Sequence, residues 1–477
     1  MSNSSVVQTE SESIQSRDSE KNSNDVEEVT YNIDNTYNQG YSYVILLSVF
    51  LISFCSWGNN ASFSIYLAHY TKYDTYDGGS KLGYAALGGL SVGVGFMLSP
   101  IINIVIGKIG IIGILWVGNI LQTLGLVLTS ISSHHQIWQL YVCQGILQSI
   151  GLACLGLPSF TILPHWFRND EKRKFLSTAQ GIFMSATGFG GLTYVLGMQK
   201  VIEIDGVRWG LRAQAIINFG LLSVAILLMK VKSAQKVKKS SQLINMDILK
   251  SSSFYLSLLY ICSGIFGYCV CLYSMDSYVI SMGYSDNQGS IASAILLVGT
   301  ALGRPAMGYI CDQIGPINTS IICYIITIIF IYGMWIPARS YATILVLCFI
   351  LGFLIGTVLI TMVVVQLRLL GGQLQRLNTF FSMTLFPFGM VAIVATLIAF
   401  SATKDHASPT QFLYCIVIIG CMFIISIIDL IILRGYIISK DQLVGDAELE
   451  QDEYLKTSVP IKLWVKNIFT LRHNKRL

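Results

Sequence analysis

Apolar runs of about 20 residues recur along the whole chain, and a helix of that length crosses a hydrocarbon core of roughly 30 Å. This recurrence limits the possible folds more than any other feature. Polar breaks between the runs predict spans over 43–67, 82–106, 111–131, 137–163, 175–199 and 212–230, then over 253–275, 289–311, 317–336, 342–365, 377–400 and 411–434. The composition points to the same solvent: 12% of residues are charged and 53% hydrophobic, whereas a soluble domain carries roughly 25% charge. The expected fold class is an all-α membrane protein, with twelve transmembrane helices in two six-helix pseudo-symmetric halves.

The breaks define the domains. Residues 1–42, acidic and Ser/Asn-rich with no apolar leader, are expected to form a disordered cytosolic tail. Residues 43–230 form the first half, 231–252 a lysine-rich cytosolic linker, 253–434 the second half and 435–477 a cytosolic C-terminal tail. Loops on the side of the termini carry Lys108, Arg168, Lys172, Arg173, Lys174, the lysines of the linker, Arg368 and Arg376, and the opposite loops carry fewer. Excess Lys and Arg marks the cytoplasmic face, which puts both termini in the cytosol. The expected location is the plasma membrane, with the vacuolar membrane as the alternative. In the tail, Ile461, Trp464, Val465 and Ile468 share one helical face and most of the cations lie off it. Either an amphipathic helix on an anionic leaflet or a disordered basic end fits that pattern.

The two halves share a motif. Ser99-Pro100 leads to Gly107-Lys108-Ile109-Gly110, and Arg304-Pro305 leads at the same offset to Asp312-Gln313-Ile314-Gly315. Parallel repeats of this kind build major facilitator halves, which hold substrate between them at midplane.

An ionised side chain is costly in hydrocarbon, so a charge deep in a span is a functional candidate. Arg304, between Gly303 and Pro305, is the clearest. Its planar, permanently charged fork suits a carboxylate. Two roles stay open for it: an anion site, or a gate contact made with Asp312 two turns on. Asp312 reads as a structural acceptor for backbone donors at a neighbouring helix start. Gly303, Pro305 and Gly308 around it belong to the same gate.

Polar residues inside the spans form a second tier, either ligands or interhelical glue. They are Asn59, Asn60, Gln144, Gln148, Tyr260, Tyr268 and Asn378, with Phe386 beside Pro387 at a loosened helix. Asp276 and Asp429 are the other acids close to the membrane; Asp276 is the one candidate for proton coupling, and the spans otherwise argue for weak or absent coupling. The eleven cysteines mostly fall in apolar runs and form no metal-type pair. No cofactor, metal or nucleic-acid partner is expected. The spans hold no paired acids, histidine cluster or Ser/His pair, which argues against an enzyme.

The stretch ILPHWFRNDEKRKFLSTAQGIFMSATGFGG resembles the signature of the monocarboxylate porter family, with Trp166, Phe167, Lys172, Arg173, Ala179, Gln180, Gly181, Gly188, Gly190 and Gly191 carrying the likeness. The first span, DGVRWGLRAQ and GRPAMGYICDQIG extend it, and the long polar N-terminal tail is similar to that of the fungal branch. The resemblance implies alternating access between two six-helix halves, a small organic solute, and a role in binding or coupling for Arg304. It also gives Arg173 and Gly181 gate roles. Two departures stand out: Thr300 replaces an aspartate one turn before the arginine, and Trp57-Gly58-Asn59-Asn60 replaces a lysine region in span one. The expected function is transport of a monocarboxylate-like or other organic anion. The alternatives are a riboflavin-like or other neutral solute, and a non-transporting nutrient sensor on the same fold.

Overall fold

The computed structural model describes residues 39–72, 81–132, 137–167, 175–231, 245–401, 409–447, 458–468 and 470. Backbone contacts divide the chain into Met1–Ile45 and Leu46–Leu477. The described part of the first unit is the opening of the first helix, and the remaining architecture belongs to the second.

Every regular element among the described residues is helical. In chain order they are α1 (Gln39–Ala61), α2 (Phe63–Lys72), α3 (Lys81–Met97), α4 (Ser99–Ile131), α5 (Ile137–Leu140), α6 (Gln148–Trp166), α7 (Leu176–Asp205), α8 (Val207–Leu228), α9 (Met246–Leu249), α10 (Ser252–Ser281), α11 (Asp286–Ile314), α12 (Pro316–Phe330), α13 (Tyr341–Ile355), α14 (Thr357–Leu369), α15 (Leu374–Ser401), α16 (Pro409–Ala447) and α17 (Ile461–Ile468). Lipid offers the backbone no partner, so an apolar chain must satisfy its own N–H and C=O groups, and the helix does this within one segment. Short π-helical turns, Tyr141–Leu147 and Ile331–Trp335, join α5 to α6 and extend α12.

Eleven helical segments among the described residues are long and apolar enough to cross a membrane, and Ala86–Met97 is a shorter apolar one. Twelve passes result because α4 contains parts of two. Its 33 residues would measure about 50 Å if straight, well beyond a core of roughly 30 Å. The helix is broken at Gly110, where φ is 78° and ψ 172°. Ser99–Ile109 therefore continues α3 as the second pass, and the residues from Ile111 onward form the third. Glycine reaches positive φ freely, whereas a Cβ strains it. Gly206 (φ 84°) separates α7 from α8, and Gly315 (φ 98°) separates α11 from α12. Gly110 and Gly315 end the two copies of the sequence repeat, so the repeat has a counterpart in the backbone.

Burial of the passes has a period of three. The buried share is 39% in the Ser99–Ile131 segment that holds the third pass, 39% in passes six and nine and 44% in pass twelve, against 83% in pass four and 67% in pass ten. Passes three, six, nine and twelve are thus the outer ones. They expose Ile120, Leu227, Ile329 and Ile428 where a soluble protein would place charge.

Two seams join the first six passes to the last six: α7 lies along α11, and α3 along α15. Helices in lipid gain little from the hydrophobic effect, so close backbone approach carries the packing. A Cβ at Gly181 would collide with the Arg304 carbonyl oxygen, and one at Gly308 with the Ser177 carbonyl oxygen. Gly93 and Gly389 meet in the same manner across the second seam.

Pass twelve does not end at 434 as the polarity suggests. α16 continues to Ala447, and α17 packs across the extension. Trp464 Nε1 donates to the Ile432 carbonyl at 2.9 Å, and Asn467 Nδ2 donates to Ser439 Oγ at 2.9 Å and to Gln442 Oε1 at 2.8 Å. The rings of Trp464 and Tyr436 meet edge-on at 5.3 Å.

Candidate functional site

Arg304 lies on α11 below the middle of pass eight, and only 2% of its surface is exposed. Pro305 follows it and brings no backbone N–H, which loosens the helix there. The guanidinium reaches out of its own helix. Nη1 donates to the Met184 carbonyl at 2.6 Å and to the Thr187 hydroxyl, both on α7, while Nη2 donates to the Tyr268 hydroxyl on α10 at 3.0 Å. Nε has no hydrogen-bond partner among the described residues. A Cβ at Gly356, the break between α13 and α14, would stand 2.9 Å from that nitrogen. Four passes therefore meet at one cation, and its hydrogen-bond partners among the described residues are all neutral.

Asp312, two turns on, bonds α7 and not Arg304. Its carboxylate accepts from the backbone N–H of Ser177 (2.9 Å) and Thr178 (2.8 Å) and from the Thr178 hydroxyl (2.6 Å). These are first-turn donors of α7, whose N-cap Phe175 supplies no side-chain acceptor. One carboxylate thus closes the basic-loop end of the α7–α11 seam. Gly181 and Gly308 are contact points of the same seam, and a Cβ at Gly303 would stand 2.5 Å from Phe353 Cα. Arg173 lies outside the described residues.

Of the second-tier candidates, Tyr268 is the one whose side chain bonds Arg304. Asn59 accepts from Gln214 Nε2, which also donates to Ser62 Oγ at 2.7 Å, while Tyr66 donates to Gln214 Oε1. Gln214 on α8 is thus the centre of a network that the sequence reading missed. Asn60 donates to Ser91 Oγ at 2.9 Å and ties α1 to α3. Gln144 Oε1 accepts a long bond of 3.5 Å from Tyr70. Gln148 is buried against Gly125 with its Nε2 unpaired. Tyr260 is fully buried and bonds Thr361 and Ser320. Asn378 is half-buried, and Phe386 is 43% exposed on α15. The structure also brings in Met184, Thr187 and Gly356 at Arg304, and Thr379, whose hydroxyl accepts from Asn103 at 3.4 Å across the second seam. Thr300, where the family resemblance places an acid, donates to the Leu297 carbonyl at 2.8 Å.

The Major Facilitator Superfamily family model matches residues 45–376. The chain belongs to that superfamily. It is 32% identical over 442 residues to the probable transporter MCH2 of Saccharomyces cerevisiae, an alignment covering 92% of each chain. It is 31% identical to the uncharacterized transporter ESBP6 of the same yeast, over 83% of this chain and 59% of that protein. Among solved structures, the superfamily transporter FucP in its outward conformation superposes with a TM-score of 0.58 at 13% identity, covering 81% of this chain and 98% of FucP. At that identity the likeness speaks for the fold alone. As a major facilitator the protein is a multi-pass membrane transporter and not an enzyme.

Proposed function

We propose that this major facilitator moves a small organic anion of the monocarboxylate type by alternating access, with Arg304 as the cation that meets the solute's charge. The observation that carries this reading is a buried guanidinium whose hydrogen-bond partners among the described residues are neutral. A charge enclosed without a counter-ion is costly unless something else arrives to compensate it, and an anionic solute is that compensation. Two of the present partners, Met184 and Thr187, belong to α7 across the seam. An anion that takes over those donors weakens the α7–α11 contact, which links binding to opening.

The six-helix halves, residues 43–230 and 253–434, are the proposed moving bodies. The same proposal has both termini in the cytosol and the protein in the plasma membrane, with the vacuolar membrane as the alternative address. A proton as co-solute belongs to the same proposal; a second solved structure of similar fold is that of the Escherichia coli fucose:proton symporter. One observation favours a different role for Arg304: its bonds to α7 would also serve a purely structural clamp, leaving a neutral solute or a sensing function. The deciding experiment is uptake of labelled pyruvate, lactate and riboflavin into cells expressing wild type or Arg304→Gln at matched surface levels. Saturable uptake of an anion that is lost in Arg304→Gln supports the anion site. Equal uptake by both variants makes Arg304 a clamp.

A further inference from the structure

Asp312 and Asp429 are both buried in the helices, at 5% and 1% exposure, and their surroundings treat them in opposite ways. Asp312 takes three hydrogen bonds from α7. Asp429, on α16, has neither oxygen in a hydrogen bond among the described residues, and it lies against the backbone of Tyr260 on α10. The apolar helical segment of α16 runs Phe412–Val444, and at 1.5 Å per residue Asp429 stands about 25 Å from its first residue and about 22 Å from its last.

Among the described residues no cation bonds it. The sole charged residue of α10 is Asp276, about 24 Å beyond Tyr260 along the helix. α12 and the π-helical turn after it carry no charge. Arg434, the next cation on α16, is five residues on and so about 140° around the helix from Asp429, and Lys462 and Lys466 on α17 are exposed. Among the described residues, titratable groups that face α16 from its neighbours include Tyr260 of α10, Tyr278 of α10, whose ring meets Phe412 at 5.7 Å, Tyr324 of α12, whose ring meets Phe423 at 5.0 Å, and Tyr332 of the π-helical turn, which donates to the Val417 carbonyl.

Hydroxyls continue from this point. Ser426, one turn earlier on α16, bonds Ser263 at 2.6 Å, and Ser263 also reaches the Tyr260 carbonyl at 3.3 Å. The Tyr260 hydroxyl then meets Ser320 and Thr361. Tyr268, the partner of Arg304, is two turns further along the same α10. One helix therefore borders both Asp429 and Arg304.

We propose that Asp429 is a proton-binding site. Its carboxylate takes a proton from water when the halves open to one face, holds it as a neutral O–H while enclosed, and returns it to water when they open to the other face. The inference rests on the organic-anion reading and deepens it: one anion at Arg304 and one proton at Asp429 cross together with no net charge.

The test compares wild type and Asp429→Asn, which keeps the side-chain shape, in liposomes. Wild type accumulates a labelled monocarboxylate under an imposed pH gradient. The variant loses accumulation and its pH dependence yet still exchanges labelled for unlabelled solute. Infrared difference spectra of the same proteins read the site without any solute: a protonated-carboxyl band that shifts in D2O is present in wild type and lost in Asp429→Asn. Accumulation unchanged in the variant overturns the proposal, as does an unchanged band. A variant that loses accumulation, exchange and its folded peak in size exclusion also overturns it, because Asp429 is then structural. If Arg304→Gln retains uptake, the anion reading fails while the infrared band still decides the proton site.

Discussion

Tyr268 holds the Arg304 guanidinium through a neutral hydroxyl at 3.0 Å, so Tyr268→Phe strips one acceptor from a buried charged donor. The expected cost is about 1–3 kcal/mol, seen as a lower unfolding midpoint for the purified protein. An unchanged midpoint would show that the bond contributes nothing to the closed state. A charge inside an apolar run is visible in one dimension, which is why Arg304 is legible in the sequence. Its partners are less so. The Met184 carbonyl belongs to the backbone, and Thr187 and Gly356 acquire meaning only when α7 and α14 are brought beside α11. Gln214 escaped for a different reason. It lies at the edge of the predicted span 212–230, beside Arg212, yet α8 begins at Val207 and carries Gln214 about two turns along the helix.

At the scale of the element, the positive-φ glycines decide where passes end. Gly110 sits in a backbone region open almost only to glycine, and a Cβ there costs of order 1–3 kcal/mol. Gly110→Ala and Gly315→Ala are both expected to lower the unfolding midpoint, whereas Gly197→Ala, in a helix with open space around it, is not. Equal midpoints for all three would mean that the turns are held by something other than glycine. The sequence placed these turns well because the repeat ends on glycine. The predicted span stops at 434 while the helix runs on to Ala447, because polarity marks where an apolar run stops and not where a helix stops; Trp464 and Asn467 of α17 seat the extension.

For the whole molecule, the account requires the seams to part. At the basic-loop end both are closed, one by Asp312 of α11 accepting from α7 and the other by Asn103 donating to Thr379 at 3.4 Å. Asn103→Cys with Thr379→Cys should cross-link under a mild oxidant and stop transport until a reductant is added, since a rocking mechanism cannot run with one seam locked. Transport that continues through the cross-link would rule out motion at that seam. The twelve-pass layout is legible because each pass must be apolar by itself. The closed state is not, because it depends on which passes meet. The most direct test of the central claim is uptake by liposomes holding the purified protein, comparing a monocarboxylate such as lactate with its neutral amide. The account predicts that wild type carries the acid and not the amide, and that Arg304→Gln carries neither. Equal transport of acid and amide, or acid uptake that survives Arg304→Gln, would contradict it.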